Sequence, residues 1–460
     1  MQAPFDIAAD LDTPVSAYLK LGALRPRFLL ESVEGGERLA RYSFLGFGDA
    51  LEVRMDSEGF RVNGEQRPRP ATQGEYLDVL RAALAKAPRP QPDDDLPFAG
   101  GLVGVSGYDV VRLFEKLPRD TAPQTQVPDA AFVAPASLLV FDHLTRRVAL
   151  LHDGPEAERQ ALRRDVIRQL RGPVPPAVGE VTIGPATASL SEAEYTERVN
   201  ACKEYIASGD IYQIVLSVLF RGRSDVAPFE VYRALRLLNP SPYMFFFDFD
   251  DLQVVGSSPE ALVKLHHRNA SLRPIAGTLP RGATPDEDLA NEQRLLADPK
   301  EAAEHVMLVD LARNDLGRVA RAGSVRVDPY RAIERYSHVM HIVSGVQGEL
   351  ADGYDQFDLF AASFPAGTLV GAPKVRAMQI IEEMEAVGRG LYAGTAGYFG
   401  LRGDMDQAIT IRTLVFTGDE YSFQAGAGIV ADSVPAREYQ EVLAKSAILR
   451  RALEIAGEGL

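Results

Sequence analysis

Strand-like segments that follow one another in the middle of the chain constrain its fold more than any other feature. They are apolar, with many β-branched and aromatic residues: YQIVLSVLF (212–220), YMFFFDF (243–249), LQVVGSS (252–258) and ALVKL (261–265). Because parallel neighbours need a long crossover, usually a helix, strands without helices between them are expected to pair antiparallel. We therefore predict the α+β class, with large antiparallel sheets and helices on the outside.

Helices and further strands are predicted in the second half of the chain. Asp298 is a candidate N-cap, Pro299 takes the first helical position and Glu301 completes a capping box, which predicts a helix to about Arg313. A last helix is predicted over about 435–456. Apolar patterns predict late strands in GTAGYFGL (394–401), QAITIRTLVF (407–416) and YSFQAGAG (421–428).

Composition divides the chain into three parts. Residues 1–172 are rich in strand patterns, as in SLLVFDHLTRRVALLHD (137–153). The stretch 173–188 is rich in proline and glycine and is typical of a linker. Residues 189–460 are then predicted to form a second domain.

Charge and composition exclude several classes of function. The 460 residues carry 49 Lys and Arg against 64 Asp and Glu, a net charge of −15, and lack the basic stripe of a nucleic-acid binder. No window approaches the roughly 20 apolar residues of a membrane helix. The single cysteine, Cys202, excludes an internal disulfide and a cysteine metal cluster. We expect a cytoplasmic protein that binds neither nucleic acid nor membrane.

Two pairs of glutamates on predicted helices are candidates for binding Mg²⁺. Glu301 and Glu304 share a face of one helix, and Glu438 and Glu441 share a face of the last helix. Mg²⁺ takes hard oxygen ligands and keeps waters for an anionic substrate. The alternative is that both pairs are solvated helix faces, with Glu441 and Lys445 forming a plain i,i+4 ion pair.

Glycine-rich loops are candidates for holding an anion. RPIAGTLPRG (273–282) and QAGAGIVADSVP (424–435) expose backbone N–H groups that can bind a carboxylate, and Arg412 can add a bidentate contact. The second loop imitates a dinucleotide fingerprint, but Pro435 comes too soon for the required helix. GTLVGAPK (367–374) imitates a phosphate loop without the Ser or Thr that should follow its lysine. Nucleotide binding is therefore not expected, and a tight turn is the alternative for each loop.

Glu260 and the histidines are the candidates for acid–base chemistry. Glu260 follows Pro259 after a strand, where a desolvated carboxyl could stay protonated and act as an acid. The alternative is an ordinary acid in the first turn of a helix. His305 and His341 lie in apolar runs that are typical of buried structural histidines. No Cys-His or Ser-His-Asp arrangement supports covalent hydrolase chemistry.

Several of these segments, in their order and spacing, resemble the chorismate-utilising enzymes, and among them component I, the large subunit, of anthranilate synthase. The matching segments are PIAGT (274–278), EHVMLVDLARNDLGRV (304–319), GTLVGAPKVRAM (367–378), IRT (411–413) and QAGAGIVADSVPAREY (424–439). The resemblance is dense over about 191–453 and looser before it. It implies sheets packed as a β-sandwich, a regulatory or structural role for 1–172 and a chorismate-binding catalytic domain over 189–460.

Three positions favour ammonia as the nucleophile over the chemistries of related enzymes. Ala276 stands where many aminodeoxychorismate synthases place a lysine, and Gln213 stands where isochorismate and salicylate synthases carry the lysine that activates water. Thr368 belongs to the anthranilate form of its loop. The resemblance implies a lyase that aminates chorismate and releases pyruvate to give anthranilate, the first step of tryptophan biosynthesis. One departure from the family is Leu279, where an arginine usually stands, although Arg281 is close by.

The resemblance also implies roles for individual residues. Glu260 would be the general acid, and the other catalytic residues would be Gln213, His341 and Thr368. Mg²⁺ would be held by Glu304 and Glu441, with Glu301 and Glu438 in support. Substrate contacts would come from Gly277, Thr278, Tyr392, Arg412, Gly426, Ala427, Gly428 and Lys445.

Regulation and partners follow from the same resemblance. LLESVEGGERLARYSFLG (29–46) and NPSPYMFF (239–246) resemble the halves of an inhibitory tryptophan site, and the alternative is a buried turn and strand. The implied lining residues are Ser32, Pro242, Tyr243 and Met244. Cys202 lies in mid-helix and not in a nucleophile turn, so ammonia is expected from a separate glutamine amidotransferase subunit (component II). The implied assembly is a heterotetramer of two large and two small subunits.

Two other functions stay open from the sequence. One is an aminodeoxychorismate synthase component I, or a synthase that stops at aminodeoxyisochorismate. The other is a non-catalytic regulatory subunit that binds tryptophan. The intact set of Glu260, Glu304, His341, Arg412 and Glu441 argues against that last function.

Overall fold

The computed structural model describes residues 5–33, 41–91, 96–124, 127–176, 179, 181–335 and 339–460. Residues 34–40, within the predicted tryptophan motif, and residues 177, 178 and 180, within the predicted linker, lie outside this description. None of the helices in the described ranges is long and apolar enough to cross a membrane.

Helices in the described ranges have the following bounds: α1 Pro14–Lys20, α2 Gln73–Lys86, α3 Glu156–Leu170, α4 Glu192–Ala207, α5 Pro228–Leu238, α6 Pro285–Ala297, α7 Pro299–Gly317, α8 Gln356–Ser363, α9 Gly367–Val370, α10 Lys374–Met384 and α11 Pro435–Glu458. Short 3₁₀ turns cover Gly22–Leu24 and Tyr108–Leu113.

Strands in the described ranges have the following bounds: β1 Ile7–Ala8, β2 Pro26–Glu31, β3 Tyr42–Asp56, β4 Gly59–Val62, β5 Glu65–Arg67, β6 Gly101–Ser106, β7 Ala130–Asp142, β8 Arg147–His152, β9 Thr187–Ala188, β10 Gln213–Arg223, β11 Tyr243–Asp248, β12 Gln253–Ser258, β13 Ala261–His266, β14 Asn269–Leu272, β15 Ile275–Pro280, β16 Arg326–Val327, β17 Ala332–Arg335, β18 Val339–Val343, β19 Val346–Glu349, β20 Gly371–Ala372, β21 Thr395–Gly400, β22 Met405–Ile409, β23 Thr413–Thr417 and β24 Glu420–Ile429.

One continuous antiparallel path of strands forms the framework. It runs β10–β24–β23–β12–β11–β2–β3 and continues β7–β6–β21–β22–β13–β14–β19. Its two halves face each other across an apolar core in which Phe28 and Phe247 of the first half meet Val105 and Val140 of the second. Helices pack on the outer side, and the predicted α+β class with sandwiched antiparallel sheets is confirmed.

Strands of the two predicted domains pair directly with each other. Phe245 of β11 lies opposite Leu30 of β2, and Ala396 of β21 lies opposite Val105 of β6. These two strand pairs therefore join the predicted domains by backbone hydrogen bonds within one framework. The division into 1–172, 173–188 and 189–460 stays a prediction.

Two features of the strand order differ from the sequence predictions. Helix α5, which the sequence analysis missed, lies between β10 and β11 and buries Phe229, Tyr232 and Leu235. The segment 407–416 is not one strand: it breaks after β22 and resumes as β23, because Arg412 takes a left-handed backbone conformation with φ +50°.

Helix α7 begins as predicted at Asp298 and extends beyond the predicted end to Gly317. The Asp298 carboxylate accepts from the backbone N–H groups of Lys300 and Glu301, at 2.8 and 3.1 Å. The Glu301 carboxylate, predicted to complete a capping box, turns instead toward a small sheet of β15, β18 and β17, where an oxygen lies 3.0 Å from the position of a Cβ on Gly277. The glycine leaves room for that carboxylate.

Candidate active site

A cavity of about 420 Å³ lies between the β10–β24 sheet surface and the helices α7 and α11. This volume is in the range of small-molecule sites. Predicted site residues in its wall are Gln213, Glu260, Glu304, Thr368, Tyr392, Arg412, Gly426, Gly428, Glu438, Glu441 and Lys445. Residues from widely separated segments thus converge on one cavity.

Five predicted residues are described but do not line this cavity: Gly277, Thr278, Glu301, His341 and Ala427. Ala427 is fully buried on the opposite face of β24 from its glycine neighbours, because side chains alternate along a strand. The other residues belong to, or lie against, the small sheet, which meets the cavity through Ile275 of β15. Their predicted contacts with substrate stay predictions.

Glycines in β24 allow side chains to approach the strand closely. A Cβ on Gly426 would stand 2.7 Å from the Tyr392 hydroxyl and 2.7 Å from the Leu216 carbonyl oxygen. A Cβ on Gly428 would stand 3.0 Å from the amide nitrogen of Gln213. The glycines therefore keep open the space in which Tyr392 and Gln213 stand.

Glu260 stands at the corner between β12 and β13, and not in the helical turn that was the alternative. Its Oε1 accepts a hydrogen bond of 2.9 Å from the Thr368 hydroxyl. Burial raises the pKa of Glu260 to about 7, although that hydrogen bond and the charge of Lys445 act in the opposite direction. The carboxyl is therefore protonated in much of the population near neutral pH and can donate a proton.

The glutamates of α7 and α11 face one another across the cavity. Burial raises the pKa of Glu304, and the negative charges of Glu301 and Glu441 raise it further. Glu441 also pairs with Lys445 at 2.7 Å, so the ion pair that was the alternative exists, and its two half-exposed side chains also line the cavity. Crowding of like charges among oxygen donors is what a hard cation relieves. Within the described residues, however, no three His, Cys, Asp or Glu side chains are grouped closely enough to form a metal cage.

Arg412 reaches the cavity from the break between β22 and β23. Its carbonyl oxygen accepts from the Ser257 N–H at 3.1 Å, and its Nη1 donates to the Asn239 side chain at 3.3 Å. The left-handed backbone turns the residue out of the strand pairing. The Arg412 side chain lies in the wall of the cavity, and a guanidinium can bind a carboxylate through two hydrogen bonds.

His341 lies in β18 with one ring nitrogen committed to the small sheet. Its Nδ1 is 3.2 Å from the Gly277 carbonyl oxygen and 2.9 Å from the Thr278 hydroxyl. In the tautomer in which Nδ1–H donates to the Gly277 carbonyl oxygen, the basic lone pair is on Nε2. Burial lowers the pKa of His341, so the ring is neutral at pH 7.

Arg281 does not replace the arginine that the family places at Leu279. Its guanidinium forms two hydrogen bonds with Asp288, at 2.8 and 2.9 Å. Neither Leu279 nor Arg281 belongs to the described wall of the cavity.

Sequence reasoning missed several residues of the cavity wall. Lys300 lines it and lowers the pKa of Glu304, while Gln424 donates to the Ser217 hydroxyl at 2.8 Å. Lys300 lies one residue before the predicted glutamate pair, and that adjacency was the available signal. Gln424 and Ile275 carried no signal beyond a strand pattern.

The four predicted tryptophan-site residues line a second cavity of about 840 Å³: Ser32, Pro242, Tyr243 and Met244. Its wall also carries Asp406, which accepts from the Tyr243 hydroxyl at 3.1 Å and pairs with Lys264 at 3.0 Å. Ile275 lines both cavities, so a single residue separates them at this point.

Comparison with known proteins decides the family. A family model described as chorismate binding enzyme matches residues 25–451. The chain belongs to this family. Anthranilate synthase component 1 from Thermus thermophilus is 46% identical, covering 98% of this chain and 97% of the relative, and the protein of that name from Cereibacter sphaeroides is 46% identical, covering 98% and 94%.

A solved structure agrees with the family assignment. The crystal structure of anthranilate synthase component I from Streptococcus pneumoniae superposes with a TM-score of 0.82 at 35% identity, covering 98% of this chain and all of that one. The resemblance to anthranilate synthase component I, seen first in the motifs, is confirmed, and so is the prediction of an enzyme of this type.

Proposed function

We propose that this chain aminates chorismate with ammonia and eliminates pyruvate to form anthranilate. The observation that carries the proposal is the single cavity in which Glu260, a carboxyl with a pKa of about 7, shares a wall with the facing carboxylates Glu304 and Glu441 and with the cations Arg412 and Lys445. Such a site can bind a dicarboxylate and protonate a leaving hydroxyl in the same place.

The first chemical step is departure of the ring hydroxyl as ammonia adds to the ring. Protonated Glu260 donates to the hydroxyl, and the Thr368 hydrogen bond orients its carboxyl. Gln213 and Ala276 carry neither a base nor a nucleophile. These two side chains therefore neither activate water nor attack the ring in place of ammonia. Arg412 and Tyr392 hold the enolpyruvyl carboxylate.

The second step is loss of a ring proton together with pyruvate, which makes the ring aromatic. Burial lowers the pKa of His341, and in its Nδ1–H tautomer the basic lone pair on Nε2 can accept a proton. Gly277 and Thr278, which hold Nδ1, orient that ring for the transfer.

We propose Mg²⁺ as the cofactor, because two carboxylates in the cavity wall supply the hard oxygen ligands that it prefers. Glu304 and Glu441 would hold it, with Glu301 and Glu438 in support. Burial raises the pKa of Glu304, and the neighbouring negative charges of Glu301 and Glu441, which a cation would balance, raise it further. When bound, Mg²⁺ supplies positive charge for a substrate carboxylate in a protein with a net charge of −15.

Ammonia is proposed to come from glutamine through a separate amidotransferase subunit, in a heterotetramer of two large and two small subunits. Cys202 is the only cysteine of the sequence, lies buried in α4, and has a thiol pKa that burial raises to about 12. Such a thiol is not a nucleophile at neutral pH. The chain therefore has no cysteine suited to hydrolysing glutamine by itself.

The second cavity is proposed to bind tryptophan as a feedback inhibitor. Ser32, Tyr243 and Met244 come from both halves of the sequence motif and share its wall. Its volume accommodates an amino acid with an indole ring, and Asp406 beside Lys264 offers charges of both signs.

Identification of the product tests the proposal. The purified chain is incubated with chorismate, Mg²⁺ and ammonium chloride, and products are followed by fluorescence and mass spectrometry. Equal amounts of anthranilate and pyruvate are expected. An amino product that keeps its enolpyruvyl group would support the aminodeoxychorismate or aminodeoxyisochorismate alternative, and absence of turnover would support the non-catalytic tryptophan-binding subunit.

A further inference from the structure

Arg389 is a buried cation that no step of the proposed reaction uses. It follows α10, is 2% exposed, and places its guanidinium between two aromatic rings, 5.0 Å from the centre of Tyr108 and 5.6 Å from that of Tyr392. Tyr392 lines the 420 Å³ cavity, and the Arg389 guanidinium packs against its ring.

The hydrogen bonds of Arg389 run to three separate segments. Nε and Nη2 donate to the Glu385 carboxylate at 3.0 and 2.7 Å and form a bidentate ion pair. Nη1 donates to the Leu369 carbonyl oxygen at 2.7 Å, and Nη2 donates to the Val215 carbonyl oxygen at 2.8 Å. Glu385 is itself held by the backbone N–H and the hydroxyl of Ser217, at 2.9 and 2.6 Å.

Each of these partners is part of the cavity wall or next to it. Leu369 and Val215 line the cavity. Leu369 directly follows Thr368, which donates to Glu260. Val215 lies opposite Gly428 in the β10–β24 pair. One guanidinium therefore joins the wall that carries the general acid to the strand pair and to Tyr392.

We propose that Arg389, held by Glu385, is a positioning residue that fixes Tyr392 and the Thr368–Glu260 pair relative to β10. This inference rests on the proposed function. Only a guanidinium meets the geometry, because its planar fork of five N–H donors reaches a carboxylate and two carbonyl oxygens while its faces stack on rings. Lysine keeps the charge but offers a point-like group with three donors.

Arg389→Lys tests the inference with the buried charge retained. We expect kcat/KM for chorismate to fall about 10- to 100-fold, with KM raised through Tyr392 and kcat lowered through Thr368 and Glu260. Arg159→Lys is the matched control. Arg159 is 3% exposed, pairs with Glu156 at 2.8 and 3.0 Å and donates to the Leu150 carbonyl oxygen, but it lies in α3 away from the cavity.

A purely structural role would lower the melting temperature of both variants and leave kcat and KM of both unchanged. That result would overturn the proposal. A kinetic change in Arg389→Lys alone, measured at a temperature where both variants are folded, would support it. If the wild-type chain does not convert chorismate at all, the proposed function is wrong. If the wild type is active and Arg389→Lys has the same kcat and KM, only the role of Arg389 is wrong.

Coupling to Tyr392 gives a second test. If Arg389 acts on binding by placing the Tyr392 hydroxyl, Arg389→Lys should raise KM much less in a Tyr392→Phe background than in the wild type. If the KM of the double variant were raised by the product of the two single-variant factors, the inference would be contradicted.

Should Arg389→Lys fail to fold, Glu385→Gln is the second variant. It weakens the ion pair that holds the Arg389 guanidinium while keeping the side-chain volume, and it is expected to change KM and kcat in the same directions, by a smaller factor. Unchanged kinetics in Glu385→Gln would count against the proposal.

Discussion

At the scale of single residues, the chemistry depends on burial, which raises the pKa of the Glu260 carboxyl to about 7. Glu260 is desolvated and accepts a hydrogen bond of 2.9 Å from Thr368, whereas Glu441 is half exposed and pairs with Lys445. Environment, and not residue type, therefore separates the acid from the candidate metal ligands.

Glu260→Gln is expected to lower kcat about 10²- to 10⁴-fold, because the amide keeps an oxygen for the Thr368 hydrogen bond but has no acidic proton. KM should change little. Steady-state kinetics with chorismate measure both constants. Glu454→Gln, an exposed position on α11 that pairs with Arg451, is the control, and a kcat for Glu260→Gln within a factor of a few of the control would contradict the role of acid.

The pH profile follows from the same carboxyl. A general acid works in its protonated form, so kcat should fall as pH rises through about 7, the pKa of Glu260. The Thr368 hydrogen bond stabilises the ionised carboxylate and lowers that pKa. Thr368→Val should therefore move the falling limb to higher pH, while Thr368→Ser should not. The profile is measured at constant free ammonia, and an unmoved limb in Thr368→Val would refute the assignment.

At the scale of elements, two helices bring their glutamate pairs to one cavity. Helices α7 and α11 each contribute a carboxylate, Glu304 and Glu441, from positions far apart in the chain. The i,i+3 spacing was visible in the sequence, but their convergence depends on the way both helices pack on the sheet.

Glu304→Gln and Glu441→Gln are each expected to weaken metal binding at least tenfold, since even outer partners of a metal ligand contribute about that much. Manganese titration followed by electron paramagnetic resonance measures the affinity without turnover. Glu454→Gln again serves as the control on α11. Equal affinities in all variants would show that these carboxylates do not bind the metal.

Sequence patterns predicted most of the long strands and half of the residues that line the cavity, and the exceptions have physical reasons. The 407–416 segment is rich in β-branched and apolar residues, so nothing in its pattern marks the left-handed backbone at Arg412. Local sequence shows only the i,i+4 pair of Glu385 with Arg389, because the partners Tyr108, Val215 and Leu369 are brought to it by the tertiary fold. Motifs reveal residues that touch substrate better than residues that act through others.

At the scale of the whole molecule, the first and last parts of the chain share one strand path. Pairing of β2 with β11 and of β6 with β21 means that a fragment of residues 189–460 leaves two strand edges and a large apolar face uncovered. We expect that fragment, expressed alone, to aggregate or to lack a cooperative thermal transition in circular dichroism. Cooperative unfolding of the fragment would show that the second predicted domain is autonomous.

The same arrangement places the second cavity where the two parts meet. If it binds tryptophan, Ser32→Ala should weaken inhibition about five- to tenfold, the effect of losing one hydrogen bond, with activity in the absence of tryptophan unchanged. Tryptophan should also raise the melting temperature of the wild type more than that of the variant. Inhibition that is identical in both proteins would place the regulatory site elsewhere.

The central claim is that chorismate is held and protonated in the cavity between β10, β24, α7 and α11. A crystal structure of the Glu260→Gln variant with chorismate and Mg²⁺ tests it most directly. We expect the ring between residue 260 and the carboxylates of Glu304 and Glu441, with the enolpyruvyl carboxylate on Arg412. Chorismate bound instead in the cavity lined by Ser32 and Tyr243, or outside both cavities, would contradict the account.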